Sequence, residues 1–259
     1  MEVRMSKRIY LVLAVLLVGL LVPLVATAQQ PEPPVYTFVA LWNVPRAQWA
    51  EFTAFWEKNA RPVLDRLQAD GTIIGYGSFA SVVHTEEGYT HGNFWETTSL
   101  AAVERALGEL LKLPPNPASL GARHRDRLFR SLIYRARAAS GSGYVWVSAT
   151  QVKPGKGREA RELWEKYSKP TYDELLANGT ISLYKLEVEH VHTESPGWRG
   201  VVYVAPSADA VDKVRAAFLA LEQKRSSEEN RAIGDAFAEV TVAGAHWDFF
   251  ARVTNYAHK

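Results

Sequence analysis

Two segments of the chain repeat the same four chemistry-bearing residue types at the same spacing. They are HRDRLFRSLIY (124–134) and HWDFFARVTNY (246–256). The shared residues are His124, Asp126, Arg130 and Tyr134 in the first segment and His246, Asp248, Arg252 and Tyr256 in the second. An aspartate can orient a histidine for proton transfer, while arginine or tyrosine stabilises an oxyanion or enolate. Each set therefore predicts acid–base catalysis or the binding of an anionic or aromatic ligand.

Each segment has the composition of a strand, so alternate side chains face opposite ways. The apolar faces are expected to pack on helices; they hold Phe129, Ser131 and Ile133 in one segment and Trp247, Phe249, Ala251 and Val253 in the other. The two His/Asp/Arg/Tyr sets then point the other way, into the space that we expect between two facing sheets. A structural alternative stays open: Asp126 with Arg252, and Asp248 with Arg130, form a buried ion-pair network, because buried charges must be paired.

Other strands offer companions for such a lumen site. One face of the predicted third strand carries His91 and Trp95, and the corresponding residues later in the chain are Arg199 and Tyr203. The predicted second strand adds Tyr76 and its counterpart Tyr184. We predict that these residues bind the ligand by ring stacking and by arginine pairing.

A pair of histidines raises the question of a metal. His190 and His192 have the His-x-His spacing of many zinc and iron sites, with Glu194 as a candidate third ligand. The competing interpretation is turn chemistry at the end of a hairpin. A haem would need an axial ligand, for which His246 or His192 is the candidate. Cysteine is absent, which excludes disulfides, thiolate nucleophiles and Cys-ligated metals. The leading prediction is that the protein uses no cofactor, with haem or a divalent metal as the alternative.

The chain contains one unit twice. Residues 36–103 match residues 144–211 at a constant offset of 108, including Val-His-Thr-Glu at 83–86 and again at 191–194. The match resumes at an offset of 122 in the two segments described first, so the second copy carries an insertion, placed in the helical stretch EQKRSSEENRAIGDAF.

Each copy predicts the element order β-α-β-β-α-β, a ferredoxin-like unit. Pro62 and Pro170 are expected to kink or split the first helix of each copy, and Gly71 to end it. The predicted organisation is a signal peptide (1–28), an extended tether (29–35), repeat 1 (36–139), a Ser-Gly linker (140–143) and repeat 2 (144–259). The fold class is α+β: two tandem ferredoxin-like repeats whose antiparallel sheets face each other as an intramolecular α+β barrel.

This duplicated topology resembles the dimeric α+β barrel superfamily in a fused, single-chain form. The resemblance covers nearly all of the mature chain. It implies two antiparallel four-stranded sheets facing each other with helices outside. The superfamily includes cofactor-free monooxygenases, lactone isomerases, stress-response proteins and haem enzymes, so it implies several functions at once. The Gly-x-x-Asp-Gly signature of the dye-decolourising peroxidases is absent.

The N-terminus predicts export. A basic start is followed by the apolar run 9–25 and by Ala26-Thr27-Ala28, the small-x-small pattern of a cleavage site. A retained membrane anchor is the alternative, since ~17 apolar residues lie at the lower edge of spanning length. A net charge of +2 gives no reason to expect nucleic acid as a partner. We expect a periplasmic or extracellular protein, a monomer or homodimer, without membrane contact after cleavage.

The predicted function follows from these features. It is a small-molecule-binding protein, or a cofactor-independent enzyme of the monooxygenase or isomerase kind, acting on a small aromatic or anionic ligand in the barrel lumen. The first alternative is a non-catalytic structural or interaction module of the cell envelope, which a filled lumen without a pocket would favour. The second is a haem- or metal-dependent barrel enzyme.

Overall fold

The computed structural model describes residues 33–85, 88–192 and 196–259. The predicted signal peptide, most of the tether, Glu86 and Glu194 lie outside the described residues. Residues 34–259 form one compact unit, so the two predicted repeats are not separate bodies. No helix within the described ranges is long and apolar enough to cross a membrane.

Five strands have seven or eight residues, and three longer strands have 13, 14 and 18. They are β1 (Tyr36–Trp42), β2 (Gly75–Ser81), β3 (His91–Thr97), β4 (His124–Ala136), β5 (Ala139–Val152), β6 (Leu183–Glu189), β7 (Trp198–Ala205) and β8 (Thr241–His258). The predicted linker 140–143 is wrong as a linker, because these residues belong to β5 and pair with β8. Extension of the ladder satisfies backbone groups that a free linker would leave to water.

The helices cover the outside of the sheet. They are α1 (Trp49–Phe55), α2 (Arg61–Ala69), α3 (Leu100–Leu110), α4 (Gly157–Tyr167), α5 (Lys169–Ala177), α6 (Ala208–Gln223) and α7 (Ser227–Val240). Pro62 and Pro170 lie in the first turns of α2 and α5, where a missing N–H costs nothing. The predicted long helix of the second half is divided into α4 and α5 just before Pro170, whereas in the first half a π-helical segment (Trp56–Ala60) joins α1 to α2. The predicted insertion forms α7, which begins with a capping box at Ser226 and Glu229.

The described strands close into one antiparallel barrel in the order β1-β3-β2-β8-β5-β7-β6-β4. Each half has the ferredoxin-like order, β4-β1-β3-β2 and β8-β5-β7-β6, and the pairs β2–β8 and β4–β6 join the halves. The α+β barrel predicted from the sequence is therefore confirmed. Descent of both halves from one duplicated unit stays a prediction from the sequence.

A β-bulge near the end of β4 and another near the end of β8 reverse which side chains face inward. The register slips between Ser131 and Ile133 where β4 pairs with β6, and at Thr254 where β8 pairs with β2. A bulge inserts one unpaired residue, so the alternation of faces changes there. Before the bulges Phe129 and Phe249 line the lumen, and after them it is Tyr134 and Tyr256 that lie among the lumen residues.

The predicted inward and outward faces are therefore wrong over most of both long strands. Phe249, Ala251 and Val253 belong to the apolar cluster of the lumen and do not pack on helices. Among the predicted helix-facing residues of β4, Phe129 lines the lumen, whereas Ile133 lies in the helix-side cluster of the second half. Strict alternation from a single starting residue cannot anticipate a bulge.

Candidate functional site

The lumen encloses a cavity of about 400 Å³ with mainly apolar walls. Its aromatic lining comes from Phe79, Phe94, Phe129 and Phe249, which four different strands contribute. Residues of the connection after β2 line one end, where Val83 is 73% exposed, so the cavity is accessible from this side. A cavity of this size and polarity is typical of small-molecule sites.

Charged side chains lie at the other end of the lumen, where β2 and β6 begin. Lys185 is 4% exposed and its Nζ lies 2.9 Å from Glu96 Oε1 and 3.0 Å from Glu187 Oε2. The same ammonium donates a hydrogen bond of 2.7 Å to Thr37 Oγ1. Glu96 and Glu187 are 1% and 5% exposed. A buried cation thus bridges two buried carboxyl groups, as burial of charge demands.

A buried histidine completes this cluster. His258 Nδ1 lies 3.4 Å from Glu96 Oε2 and 3.2 Å from the hydroxyl of Tyr134, and that hydroxyl donates 2.8 Å to Glu96 Oε2. These two oxygens favour the tautomer with hydrogen on Nδ1, which leaves Nε2 with the lone pair that can accept a proton. His258 Nε2 has no hydrogen-bond partner among the described residues. We call Thr37, Glu96, Tyr134, Lys185, Glu187 and His258 the lumen cluster.

The protonation states of the lumen cluster suit acid–base work. Burial raises the pKa of Glu187, and Lys185 only partly opposes this. Burial lowers the pKa of His258 despite the opposing charge of Glu96, so the imidazole is neutral near pH 7. For Glu96, burial favours the neutral acid, but Lys185 and His258 outweigh it and the pKa is lowered. The cluster therefore joins a neutral base to a carboxyl group with a raised pKa.

The lumen cluster has no equivalent on the opposite side of the barrel. At the repeat offsets, Thr37 and Glu96 correspond to Val145 and Val204, Lys185 and Glu187 to Gly77 and Phe79, and His258 to Ala136. Only Tyr134 keeps its residue type, in Tyr256. Tyr256 donates 3.2 Å to Ser182 Oγ. A network needed only to hold the two halves together would be expected on both sides, so this asymmetry favours a functional site.

The lumen cluster was not predicted from the sequence. Charged and apolar residues alternate along 184–189, which is the pattern of a strand with one face in solvent. In the structure all three charged side chains are buried. Interior burial of charges is rare, so alternation of polar and apolar residues normally indicates solvent. One sequence signal was available, namely the difference between the two repeats. At the repeat offset, Lys185, Glu187 and Glu189 correspond to residues that are small or apolar.

The structure pairs the predicted catalytic histidines and aspartates but does not gather the two sets. His124 Nε2 lies 3.0 Å from Asp126 Oδ1, and His246 Nε2 lies 3.3 Å from Asp248 Oδ1. These four side chains are 42–51% exposed. The alternative of a buried ion-pair network is therefore wrong, because Asp126, Asp248 and Arg252 are exposed. Arg252 lies over the ring of Tyr144, while Arg130 is half-buried.

The two sets also lie in different places. Asp248 borders the lumen cavity, whereas His124 and Asp126 border a separate cavity on the helix side of the sheet. Among the eight predicted catalytic residues, Tyr256 is buried in the lumen and Tyr134 lies half-buried there. A catalytic role for the eight residues stays a prediction, and their common location in the lumen is wrong.

The predicted ligand-binding residues share a face, but that face meets the helices. Tyr76 and Tyr184 donate hydrogen bonds to Asp65 of α2 and Asp173 of α5. Tyr203 lies in the helix-side cluster with Tyr172, and Trp95 stacks on Phe38 at 4.5 Å. The lumen placement of Tyr76, Tyr184, Tyr203 and Trp95 is therefore wrong, because the pleat of these strands points them outward.

The two remaining predicted ligand residues are also on the outer side. His91 packs against Trp49 and Phe52 of α1, and burial lowers its pKa to about 4. Arg199 is half-buried and donates 2.8 Å to the carbonyl of Gly157 at the start of α4. Burial lowers the pKa of Arg199. Both side chains thus tie the sheet to its covering helices.

His190 and His192, the predicted metal ligands, follow the end of β6, so the strand does not place them on one face. β6 ends at Glu189, and both His190 and His192 are exposed, with the ring of His190 edge-on to Tyr36. The described residues hold no group of three or more His, Asp or Glu side chains arranged for a metal ion. The suggested axial haem ligands, His192 and His246, are likewise exposed, so they do not fit a buried haem pocket.

Comparisons with known proteins agree with the architecture. No protein-family model and no curated protein matches the chain. A protein from Lactobacillus acidophilus assigned as a monooxygenase matches with a TM-score of 0.59 and 10% identity, covering 88% of this chain and 97% of the other. An anthrone oxidase-like protein matches with 0.51 and 13%, covering 88% and 94%.

A haem-binding protein from Thermus thermophilus is also similar. Its TM-score is 0.52 at 12% identity, and the match covers 85% of this chain and 90% of the other. At such identities the likeness establishes the fold alone. That fold is the ferredoxin-like α+β barrel that these small-molecule and haem proteins share.

Proposed function

We propose that the protein is an exported, cofactor-independent enzyme that binds a small aromatic molecule in the barrel lumen. The observation that carries this proposal is the lumen cluster, where His258 Nε2 has no partner among the described residues and lines the same apolar cavity as the carboxyl group of Glu187. Export rests on the N-terminal sequence. The lumen contains a cavity, so the filled lumen that would favour the envelope-module alternative is not observed among the described residues.

The ligand is better described as aromatic and neutral than as anionic. Lys185 already contacts two carboxyl groups, and Arg127 lies 3.8 Å from Glu189. Phenylalanine rings and aliphatic side chains form the rest of the wall. A ring system with one carbonyl oxygen would bury its apolar part along the lumen and place the oxygen at the cluster.

The chemistry is proton transfer at a carbon next to that carbonyl. His258 Nε2 takes the proton, the C–H electron pair becomes the carbon–carbon double bond of the enol, and Glu187 gives its proton to the oxygen. Tyr134 and Glu96 hold the resulting imidazolium through Nδ1–H. Return of the proton to another carbon gives an isomerase. In a monooxygenase, the enol carbon instead bonds to dioxygen, the oxidant, and the enol proton moves to the outer oxygen to give a hydroperoxide. Loss of the remaining C–H proton and cleavage of the O–O bond then leave one oxygen on carbon as a carbonyl and release the other as water.

The test is deuterium uptake by a ketone probe. 2-Tetralone is bicyclic and has an acidic C–H beside its carbonyl, so exchange in D₂O is followed by proton NMR. We expect the wild-type protein to accelerate exchange, and His258→Gln and Glu187→Gln to lose at least about tenfold of this rate. Glu109→Gln, which changes a partly exposed carboxylate on α3 that lines neither cavity, is the control and keeps the full rate.

Two results would overturn the proposal. One is a wild-type rate no faster than buffer with free imidazole. The other is loss of exchange in His246→Gln with the rate of His258→Gln unchanged, which would move the chemistry to the exposed His246–Asp248 pair. Circular dichroism of each variant establishes that it is folded, and a visible absorbance spectrum of the protein from its host reports any haem.

A further inference from the structure

A second cavity, of about 230 Å³, lies on the opposite side of the sheet from the lumen. Phe38 and Trp95 form its floor on β1 and β3, and Trp56 and Leu110 belong to the helical layer above. We call this space the outer cavity. It shares no lining residue with the lumen cavity, so it is a separate space.

Three buried polar atoms of its lining residues lack partners. They are Trp56 Nε1, Trp95 Nε1 and Asn93 Oδ1, none of which has a hydrogen-bond partner among the described residues. Trp56 and Trp95 are 3% and 2% exposed. A buried polar atom without a hydrogen-bond partner destabilises the folded protein, so two such donors and one such acceptor around one cavity require an explanation.

In the second half, larger side chains fill the region that corresponds to the outer cavity. At the repeat offset of 108, Leu64 corresponds to Tyr172 and Leu110 to Phe218. The rings of Tyr172 and Phe218 lie 5.1 Å apart and pack in one cluster with Trp164, the counterpart of Trp56. Of the two leucines, Leu110 lines the outer cavity, so its side chain leaves open a space that a phenylalanine occupies in the second half.

The rim of the outer cavity is polar. His124 and Asp126, 3.0 Å apart, border it, and Trp42 stacks on His124 at 4.7 Å. Partial desolvation at the rim raises the pKa of Asp126 even though His124 opposes this. The side chain of Asn116 also borders the cavity but is already engaged, since it donates to Phe52 O and accepts from Ala118 N.

We propose that the outer cavity is a second binding site, for a flat molecule of about two fused aromatic rings that carries a carbonyl oxygen and a hydroxyl group. An apolar cavity of ~150 Å³ binds benzene, so the larger volume accommodates a bicyclic ring system. The carbonyl oxygen accepts from the indole N–H groups of Trp56 and Trp95, and the hydroxyl donates to Asn93 Oδ1. Aromatic walls on both sides favour stacking.

Isothermal titration calorimetry with three probes tests this proposal. 7-Hydroxycoumarin has both polar groups, coumarin has the carbonyl alone, and naphthalene has neither. We expect affinity to fall in that order. Trp56→Phe and Trp95→Phe should each weaken 7-hydroxycoumarin about tenfold, because each loses one hydrogen bond worth ~1.4 kcal/mol. Trp164→Phe, the matched change in the second half, should leave the affinity unchanged.

A cavity-filling variant separates the two sites. Leu110→Phe supplies the ring that the second half has, so it should abolish 7-hydroxycoumarin binding while 2-tetralone exchange in the lumen continues. Equal affinity for all three probes, or unchanged binding in both Leu110→Phe and Trp95→Phe, would overturn the proposal. Absence of 7-hydroxycoumarin binding to the wild-type protein would also overturn it, whatever the outcome of the exchange experiment.

Discussion

The ammonium group of Lys185 lies 2.9 Å from Glu96 Oε1, and this contact joins the two halves of the barrel through its interior. Lys185 lies on β6 of the second half, and Glu96 lies near the end of β3 of the first half. Neither residue has a charged counterpart at the repeat offset. The site is therefore assembled from both halves, on one side of the barrel alone.

Removal of the lysine charge should be costly. Lys185→Met leaves Glu96 buried without its cation, and breaking one partner of a buried pair costs about 3–5 kcal/mol in the free energy of unfolding. Urea denaturation at neutral pH measures this. Lys185→Met/Glu96→Gln should recover at least half of the loss. A single variant as stable as the wild-type protein would show that the pair does not hold the halves together.

The cost of Lys185→Met should also depend on pH. The folded pKa of Glu96 lies below its unfolded value, so its contribution to stability is present above about pH 4.5 and is lost as pH falls through the folded pKa. In the variant the carboxyl group lacks the lysine that lowers this pKa. The stability difference between the two proteins should therefore shrink on acidification, and a difference independent of pH would contradict this account.

His91 should make the protein sensitive to mild acid. Its folded pKa is about 4, against about 6.5 for an unfolded histidine. Unfolding therefore takes up a proton between these values, and stability falls by about 1.4 kcal/mol per pH unit as pH decreases through this window. Denaturation of wild-type protein and His91→Phe across the window should show a shallower slope in the variant. Parallel slopes would be inconsistent with burial of the neutral imidazole.

Gly75 should be required for the position of His258. A Cβ atom at residue 75 would overlap His258 Nδ1 and would lie 2.8 Å from Glu96 Oε2. Gly75→Ala should displace the imidazole, reduce 2-tetralone exchange at least about tenfold, and cost ~1–3 kcal/mol of stability by overpacking. Gly108→Ala is the control, since that position on α3 is open and alanine gains about 0.5–1 kcal/mol in a helix. Full exchange activity in Gly75→Ala would show that exchange does not depend on the position of the His258 imidazole.

The two helix-facing tyrosines should behave alike. Tyr76 and Tyr184 each donate to an aspartate on the neighbouring helix, Asp65 or Asp173. Tyr76→Phe and Tyr184→Phe should therefore each lower the free energy of unfolding by about 1.5–3 kcal/mol, since the acceptor is charged. Neither should change 2-tetralone exchange. Loss of exchange in either variant without loss of stability would support the ligand-binding role that the sequence predicts for these tyrosines.

The fold was predictable because the duplicated pattern appears twice and each copy has clear element signals. Gly71 and Gly179, each with φ of +80°, end their helices in the two halves, as the sequence predicts for Gly71. Closure into a barrel follows from topology. The boundary at 140–143 was not predictable, since a Ser-Gly composition is typical of linkers and only pairing with β8 makes it a strand.

The sequence predicted a space inside the barrel that could hold a ligand, but most residues of the lumen cluster were not predicted. Strand alternation depends on a continuous register, and the bulges at the ends of β4 and β8 break it. His258, the penultimate residue, belongs to no repeated motif, and its role depends on contacts with Glu96 and Tyr134 from distant strands. Such long-range contacts leave no local pattern in a single sequence.

The most direct test of the central claim is the protonation and environment of the His258 side chain. Long-range ¹H–¹⁵N correlation spectra of the imidazoles, assigned with His258→Gln, would be recorded near pH 7 with and without 2-tetralone. The account predicts a neutral ring with hydrogen on Nδ1, and a change in the Nε2 chemical shift when the probe binds. A charged imidazolium, or an Nε2 shift that saturating probe leaves unchanged, would contradict it.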